Sequence, residues 1–235
     1  YMKIAFISDI HGNYSALSAI LKEIVKLEIK KIYCLGDIVN YYYDADRCID
    51  LLLKYNVKSI RGNHEKILFE TYNNKNKFYR HLKRYGNSIK INHRKLKKHH
   101  LSYLGSLKNQ KVIRINNMKI LLAHGAPWKN NFYFYPDIKK KWFKKISKYK
   151  YNAIILGHTH IPMNKTLPNK MKILNPGSVG QPRDKTCGAS WMVLNSDKMI
   201  FQIVKTKYDH TKIKKQIKKY DKNDIRFFKY FNKCN

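Results

Sequence analysis

The sequence predicts an α/β fold: a two-sheet sandwich with helices outside and a helical insert at about 66–106. Three observations carry this. Strand and helix patterns alternate over the first 60 residues, as they do in successive parallel βαβ units. Beyond residue 110 the pattern turns to hairpins, which suits a second, largely antiparallel layer. Aspartates, histidines and glycines recur directly after the strand-like runs, so one edge of the fold gathers polar groups.

The elements follow in order. A strand at 3–8 leads into a helix near 14–27, where Leu17, Ile20, Leu21, Ile24 and Leu27 recur at helical spacing. A strand at 31–35 precedes a helix near 44–54, and a third strand near 57–60 ends at Arg61-Gly62-Asn63-His64. Within the insert, Leu96, His100 and Tyr103 or Leu104 mark one helix. Strands at 112–115 and 118–122 flank the turn Asn116-Asn117. A basic amphipathic helix spans 138–149 with Ile138, Trp142 and Ile146 inward, and strands follow near 152–156, 163–166, 171–174, 189–194 and 199–205. The last 30 residues form a Lys-rich tail with Ile213, Ile217 and Tyr220 at helical spacing. That stripe should pack on the domain with the lysines outward. Because the candidate metal ligands lie elsewhere in the sequence, removing the tail is expected to change hydrolysis of a small ester little.

Composition sets limits. A chain of 235 residues with 43% hydrophobic content can bury a proper core. No apolar run approaches the roughly 18 residues of a membrane span, and the chain opens directly into a strand, with no secretory signal. Cys34, Cys48, Cys187 and Cys234 show no CxxC spacing, which reads as inert thiols in a reducing, cytoplasmic compartment. Lys and Arg number 49 against 15 Asp and Glu, a formal charge of +34. A composition bias would explain abundant Lys, Asn, Ile and Tyr, but not glutamate only at positions 23, 28, 65 and 70. A polyanionic partner would explain it, nucleic acid first and an anionic membrane second. A small phosphate ester is drawn by the same field, so charge does not choose the substrate.

The chemistry lies in the loops. Asp9-Ile10-His11, Gly36-Asp37, Gly62-Asn63-His64, His124-Gly125 and Gly157-His158-Thr159-His160 each follow a predicted strand. Neighbouring strands that end at one edge bring such loops to a single crevice. One DxH or HxH alone is an ordinary surface or structural feature; five in order describe a metal site.

With Gly36-Asp37-Ile38-Val39-Asn40, Gly62-Asn63-His64-Glu65 and Ala123-His124-Gly125 written out, the chain resembles the calcineurin-like metallophosphoesterases. Ala126-Pro127-Trp128, Tyr135-Pro136-Asp137 and the run from Leu174 to Arg183 are similar to its small prokaryotic phosphodiesterase-type branch. The resemblance covers a domain at 2–204 and leaves a basic helical tail at 205–235. It implies the metallophosphoesterase fold and two divalent transition-metal ions, Mn first, with Fe, Co, Ni or Zn also suited to mixed imidazole, carboxylate and amide ligands. One metal would take Asp9, His11, Asp37 and His160. The other would take Asp37, Asn63, His124 and His158, with Asp37 bridging. The implied reaction is hydrolysis of a phosphate mono- or diester, nucleotide-like or small, by a hydroxide formed on the metals. His64 would be the catalytic acid or charge stabiliser. Two alternatives stand beside it: a metal-dependent nuclease acting on RNA or DNA through the basic surface, and a non-catalytic protein-binding scaffold, for which no ligand has been lost. Oligomeric state is open.

Three departures qualify the resemblance. Asn40 stands where the Ser/Thr phosphatases of the superfamily carry an acid, and Tyr41 where they carry a phosphate-binding arginine. Asn40, Tyr41 and Arg61 are the candidate substrate contacts. Tyr41-Tyr42-Tyr43 reads as a core aromatic patch more readily than as a base-stacking platform. Trp128-Lys129-Asn130-Asn131 replaces a more acidic run, and the loop Phe132-Tyr133-Phe134-Tyr135 could cap the site. His93, His99 and His100 read as surface imidazoles, Arg183 as a phosphate contact or a salt bridge, and Asn175-Pro176-Gly177-Ser178 as a backbone turn near the metals.

Overall fold

A computed structural model describes residues 2–184, 186–222, 224–228, 230 and 231. β1 (Lys3–Ile7) pairs in parallel with β2 (Lys31–Cys34), which pairs in parallel with β3 (Lys58–Ser59). The other edge of β1 is covered by β9 (Ala189–Asn195) and then β10 (Ile200–Thr206), both antiparallel to their neighbours. The second sheet runs β4 (Gln110–Ile115), β5 (Met118–Ala123), β6 (Ala153–Ile155), β8 (Lys172–Asn175), β7 (Met163–Thr166). These are the two mixed five-stranded sheets of the metallophosphoesterase α/β sandwich.

Strand alternation sets the layers. Ile4 and Phe6 of β1 pack between the sheets against Ile113, Ile120, Ile155 and Leu174, while Ala5 and Ile7 face the helices α1 (Tyr14–Lys26) and α2 (Ala45–Lys54). The far side of the second sheet buries Leu121, Ile154 and Ile173 under α7 (Lys140–Ile146) and Phe134. That helix is shorter than the basic pattern at 138–149 suggested.

The insert differs more. Four helices fill it: α3 (Asn63–Asn73), α4 (Lys75–Tyr85), α5 (Ser88–Lys95) and α6 (Lys98–Ser106). The expected His100–Leu104 face is real, both residues being buried, but His100 is not a surface imidazole. His93 is also occupied, against the Thr71 hydroxyl and stacked on Tyr72.

The tail forms α8 (Thr211–Asp221) and α9 (Ile225–Phe228). Ile213 and Ile217 are buried as expected, but against Tyr42 and Tyr43, with Phe227 and Phe231 completing the cluster. Tyr43 Oη donates to Asp221 Oδ2 at 2.5 Å, and Asp221 Oδ1 accepts from Asn87 N at 2.8 Å. The tail therefore leans on the loop that follows β2, which carries Asp37, so although the candidate ligands lie elsewhere in the sequence the tail is not remote from them in space.

The cysteine reading also changes. Cys34 and Cys48 are buried free thiols, but Cys187 is disulfide-bonded. Cys234 lies outside the described residues. Among the described residues no helix is long and apolar enough to cross a membrane.

Candidate active site

The loops after β1, β2, β3, β5 and β6 meet at one edge, stitched by backbone bonds. Asp9 N donates to Gly36 O at 3.0 Å, His11 N to Asp37 O at 2.9 Å and Gly157 N to His124 O at 2.7 Å. The predicted turn at Ser178 closes here as well: its Oγ donates to Asp9 O at 2.7 Å. Asp9, His11, Asp37, Asn40, Tyr41, His158 and His160 all have φ between 51° and 67°. For non-glycine residues that left-handed region costs on the order of 1–3 kcal/mol each, and such strain gathers where function needs a fixed geometry. Gly62 is required for a different reason. A Cβ there would lie 2.1 Å from Asp37 Oδ1.

Glu65 ties two of these loops together. Its buried carboxylate accepts from Asp37 N at 3.0 Å, Ile38 N at 2.7 Å and Gly62 N at 2.7 Å. The sequence showed the signal, a glutamate three residues past the helix N-cap, where a side chain reaches back to the cap backbone.

The donor atoms then converge. His160 Nε2 lies 3.3 Å from Asp9 Oδ1, and His11 Nε2 lies 4.0 Å from the same oxygen and 3.9 Å from Asp37 Oδ2. His124 Nε2 sits 3.1 Å from Asp37 Oδ2 and 3.1 Å from Asn63 Oδ1. His158 joins Asp37 and His124 in one cluster, and its buried Nε2 has no hydrogen-bond partner. All seven predicted ligands are thus brought together; Asp37 groups once with His124 and His158 and once with His11 and His64, the residue expected to be a non-ligand.

Proton accounting shows that this set fits cations. His11 Nδ1 faces Val39 O, His124 Nδ1 faces Leu35 O and His160 Nδ1 faces Gln181 O, at 3.2, 2.7 and 2.8 Å. A carbonyl only accepts, so each Nδ1 carries the proton and each neutral ring turns a lone pair inward through Nε2. His11 Nε2 and His160 Nε2 then oppose each other at 3.2 Å as two acceptors. His124 Nε2 faces two acceptors, Asn63 Oδ1 and Asp37 Oδ2, a place that a proton or a metal cation can fill. Acceptors pressed together repel unless a cation lies between them.

A second group, Asp50, His99 and His100, fails the same test. His100 Nδ1 accepts from Lys97 N at 3.0 Å, which puts its proton on Nε2, where it donates to Asp50 Oδ1 at 3.0 Å. No lone pair is left for a metal.

Electrostatics agrees with an ionised carboxylate pair. Burial alone would raise Asp9 and Asp37, but the surrounding imidazoles outweigh it and hold both below the ordinary range. Burial alone would lower His124; with no cation beside it the adjoining Asp37 carboxylate reverses that and pushes it up to about 9, so a proton then occupies Nε2, the position a metal would take.

Beside the donors lies a cavity of about 500 Å³. His64 lines it with its Nε2 4.0 Å from Asp37 Oδ2. Tyr41 also lines it, edge-on to the His11 ring at 4.7 Å between centroids and tilted by 37° against the His64 ring at 5.1 Å, while Tyr42 and Tyr43 are core as expected. Asn40 stands behind His64. Arg61 is turned away: its Nη2 donates to Gly105 O at 2.6 Å, so the structure does not bring it to the site. Arg84 and Tyr85 line the cavity without having been singled out, while Tyr133 of the expected capping loop and Arg183, read as a phosphate contact or a salt bridge, also line it.

A crevice of carboxylates, imidazoles and an amide at one edge of an α/β sandwich defines a metal-dependent hydrolase. The chain belongs to the calcineurin-like phosphoesterase superfamily, whose domain model matches residues 2–199. It is 33% identical to the uncharacterized protein MJ0912 of Methanocaldococcus jannaschii, over 94% of this chain and 93% of that one. In fold it is similar to the hypothetical protein PH1004 of Pyrococcus horikoshii OT3, with a TM-score of 0.81 and 22% identity over 97% of each chain. A metallophosphoesterase from Sphaerobacter thermophilus gives a TM-score of 0.74 at 24% identity, over 93% of this chain and 94% of that one. The family binds divalent metals and hydrolyses phosphate esters; this chain is a hydrolase of that class.

Proposed function

We propose that the chain hydrolyses a phosphate mono- or diester of nucleotide-like type at a two-metal centre. The position of one Asp37 oxygen, 3.9 Å from His11 Nε2 and 3.1 Å from His124 Nε2, carries this reading. Asp9, His11, Asp37 and His160 would hold one cation, and Asp37, Asn63, His124 and His158 the other. The mixed nitrogen and oxygen set favours Mn, with Fe, Co, Ni or Zn as alternatives. When bound, such a pair supplies Lewis acidity and lowers the pKa of water.

The chain's own part is proton placement and orientation. Asn40 Nδ2 lies 3.2 Å from His64 Nδ1 and donates to His64 O at 3.3 Å, and Asn40 Oδ1 accepts from Asn92 Nδ2 at 2.9 Å. The amide therefore presents its NH₂ to the ring, Nδ1 accepts, and Nε2 carries the proton on the cavity side. That N–H can donate to the departing oxygen or to charge growing on the phosphoryl group.

A second reading, a nuclease, draws on the exposed lysines of α4 and α8. One panel separates the two: protein loaded with Mn²⁺, then assayed on p-nitrophenyl phosphate, its bis ester, cyclic nucleotides, and single-stranded RNA and DNA. Turnover of the esters supports the first reading, turnover confined to polynucleotides the second. No metal uptake and no turnover would exclude both.

A further inference from the structure

The backbone of His64 is pinned on both sides, while among the described residues one hydrogen bond alone reaches its ring. His64 N donates to Asp37 Oδ1 at 2.8 Å, and His64 O accepts from Asn40 Nδ2 at 3.3 Å. The contact to the imidazole joins Asn40 Nδ2 to Nδ1 at 3.2 Å. It fixes which nitrogen carries the proton. It does not fix the ring plane, because χ2 of histidine is a broad, roughly two-fold torsion. A ring free to swing would lose the aim of Nε2 into the cavity.

Three rings supply what that hydrogen bond leaves open. Tyr85 meets the imidazole edge-on, 4.7 Å between centroids and at 68°, and His11 does so at 4.9 Å and 78°. Tyr41 lies tilted by 37° at 5.1 Å. All three fall in the ~4.5–7 Å range of attractive aromatic pairs. His11 is a candidate metal ligand and has its own task; the two tyrosines pack on each other instead, at 5.3 Å and 77°. Tyr85 is the buried last residue of α4, with His81 stacked on it at 5.8 Å. Phe227 of the tail backs Tyr41 at 6.4 Å, and the fit there is close, since a Cβ on Gly86 would lie 2.7 Å from Phe227 Cζ. Asn40 and Tyr41 are consecutive left-handed residues, with φ of 67° and 65°. One strained turn therefore delivers both the amide to Nδ1 and a ring to the imidazole, and such strain persists where the surroundings demand it.

We propose that Tyr41 and Tyr85 are positioning residues for His64: their rings fix the plane of the imidazole and keep Nε2–H aimed into the cavity. This rests on the phosphoesterase reading above and adds to it the parts that hold its proton donor. The tyrosine hydroxyls take no share in the role, and Phe227 acts only through Tyr41.

The test is a double-mutant cycle on Mn²⁺-loaded protein with p-nitrophenyl phosphate. Tyr85→Leu and Tyr41→Leu should each lower kcat roughly 10–100-fold, the cost of misplacing one reacting group, while elemental analysis shows bound metal unchanged. Placed in His64→Ala, either change should alter kcat by less than about twofold, because no ring is left to aim. Tyr85→Phe and Tyr41→Phe keep the rings and should stay within about twofold of the parent. A crystal structure of metal-free Tyr41→Leu should show the His64 ring turned by more than ~30° about χ2. Equal fold-losses with and without His64 would assign both tyrosines to general packing and overturn the proposal, as would an unmoved His64 ring. A loss confined to KM, or a Phe variant as poor as its Leu counterpart, would overturn it by making the hydroxyl a substrate contact. Tyr41, part-buried on the cavity side, carries the cycle alone should Tyr85→Leu lose the fold. Turnover by the parent keeps the phosphoesterase reading intact in each of these outcomes, and its absence sinks both.

Discussion

Asn40 shows how one side chain sets the state of another. With its NH₂ against His64 Nδ1, the imidazole presents Nε2–H to the cavity as a neutral donor. His64→Ala should therefore lower kcat by roughly 10²–10⁴-fold while bound metal persists. Steady-state kinetics beside elemental analysis checks this, and loss of metal in the variant would make His64 a ligand instead. Asp37→Asn should behave oppositely, emptying both sites together, because one carboxylate oxygen faces the donors of both clusters. One metal retained per chain would contradict the bridging role. All seven candidate ligands could be picked out because each loop's motif is short and local, and the fold brings them to one crevice. Arg61 was misread and Arg84 missed because guanidinium direction depends on which helix lies alongside. The Gly105 carbonyl that captures Arg61 belongs to α6, which the sequence marked without saying what lies beside it, and Arg84 to α4, which was not resolved as a separate helix in the sequence.

At the scale of elements, the insert hid its helices because they are short, 8 to 11 residues, and rich in lysine and asparagine. The tail was legible as a helix but not in its docking, since Ile213 and Ile217 announce a buried face without saying what buries it. Ile217→Ala should cost about 2–5 kcal/mol, as a deletion in a packed core does, and should lower turnover of p-nitrophenyl phosphate as well. Unchanged kcat beside a lowered Tm would show that the loop holds its shape without α8. Asp44 is the polar hub of the same junction. It accepts from Lys95 at 3.1 Å and Gln216 at 3.0 Å, and Lys212 lies 3.3 Å away. Burial alone would raise its pKa, but the Gln216 and Lys95 hydrogen bonds outweigh that and lower it. A carboxyl lowered in the folded state stabilises fully above its unfolded value, near 3.8, and loses that contribution as pH falls through the lower folded value. Asp44→Asn should thus be less stable than the parent at neutral pH, with the gap closing below about pH 4. Chemical denaturation at several pH values reads this directly, and a gap independent of pH would assign the loss to packing.

Over the whole molecule, the scarcity of acids acquires a pattern. Asp9, Asp37 and Glu65 are inside the site, Asp44 lies under the tail, and Asp221 of the tail faces the domain at Tyr43. The surface is left with a large positive excess, and the cavity mouth shares it. Anionic substrates should therefore be steered inward, and kcat/KM should fall several-fold between low salt and 0.5 M KCl while kcat holds steady. A salt-independent kcat/KM would mean that encounter is not limiting. The sandwich itself was readable from alternation alone, because a buried strand must offer one face to each layer. Shape beyond the sandwich was not, since nothing in a lysine-rich helix says where it will lie.

The contact between the tail and Tyr41–Tyr43 also has a consequence in time. A ribosome makes the loop that bears Asp37 early and has made every candidate ligand by His160, yet Phe227 and Phe231 come far later. At about 5–20 residues per second, roughly ten to forty seconds separate Tyr43 from the side chains that pack on it. For that interval the nascent chain holds a complete ligand set on an unbraced loop. Competence waits for Phe231 to be made, and a chain cut short before it carries the motifs without the support that holds them in register.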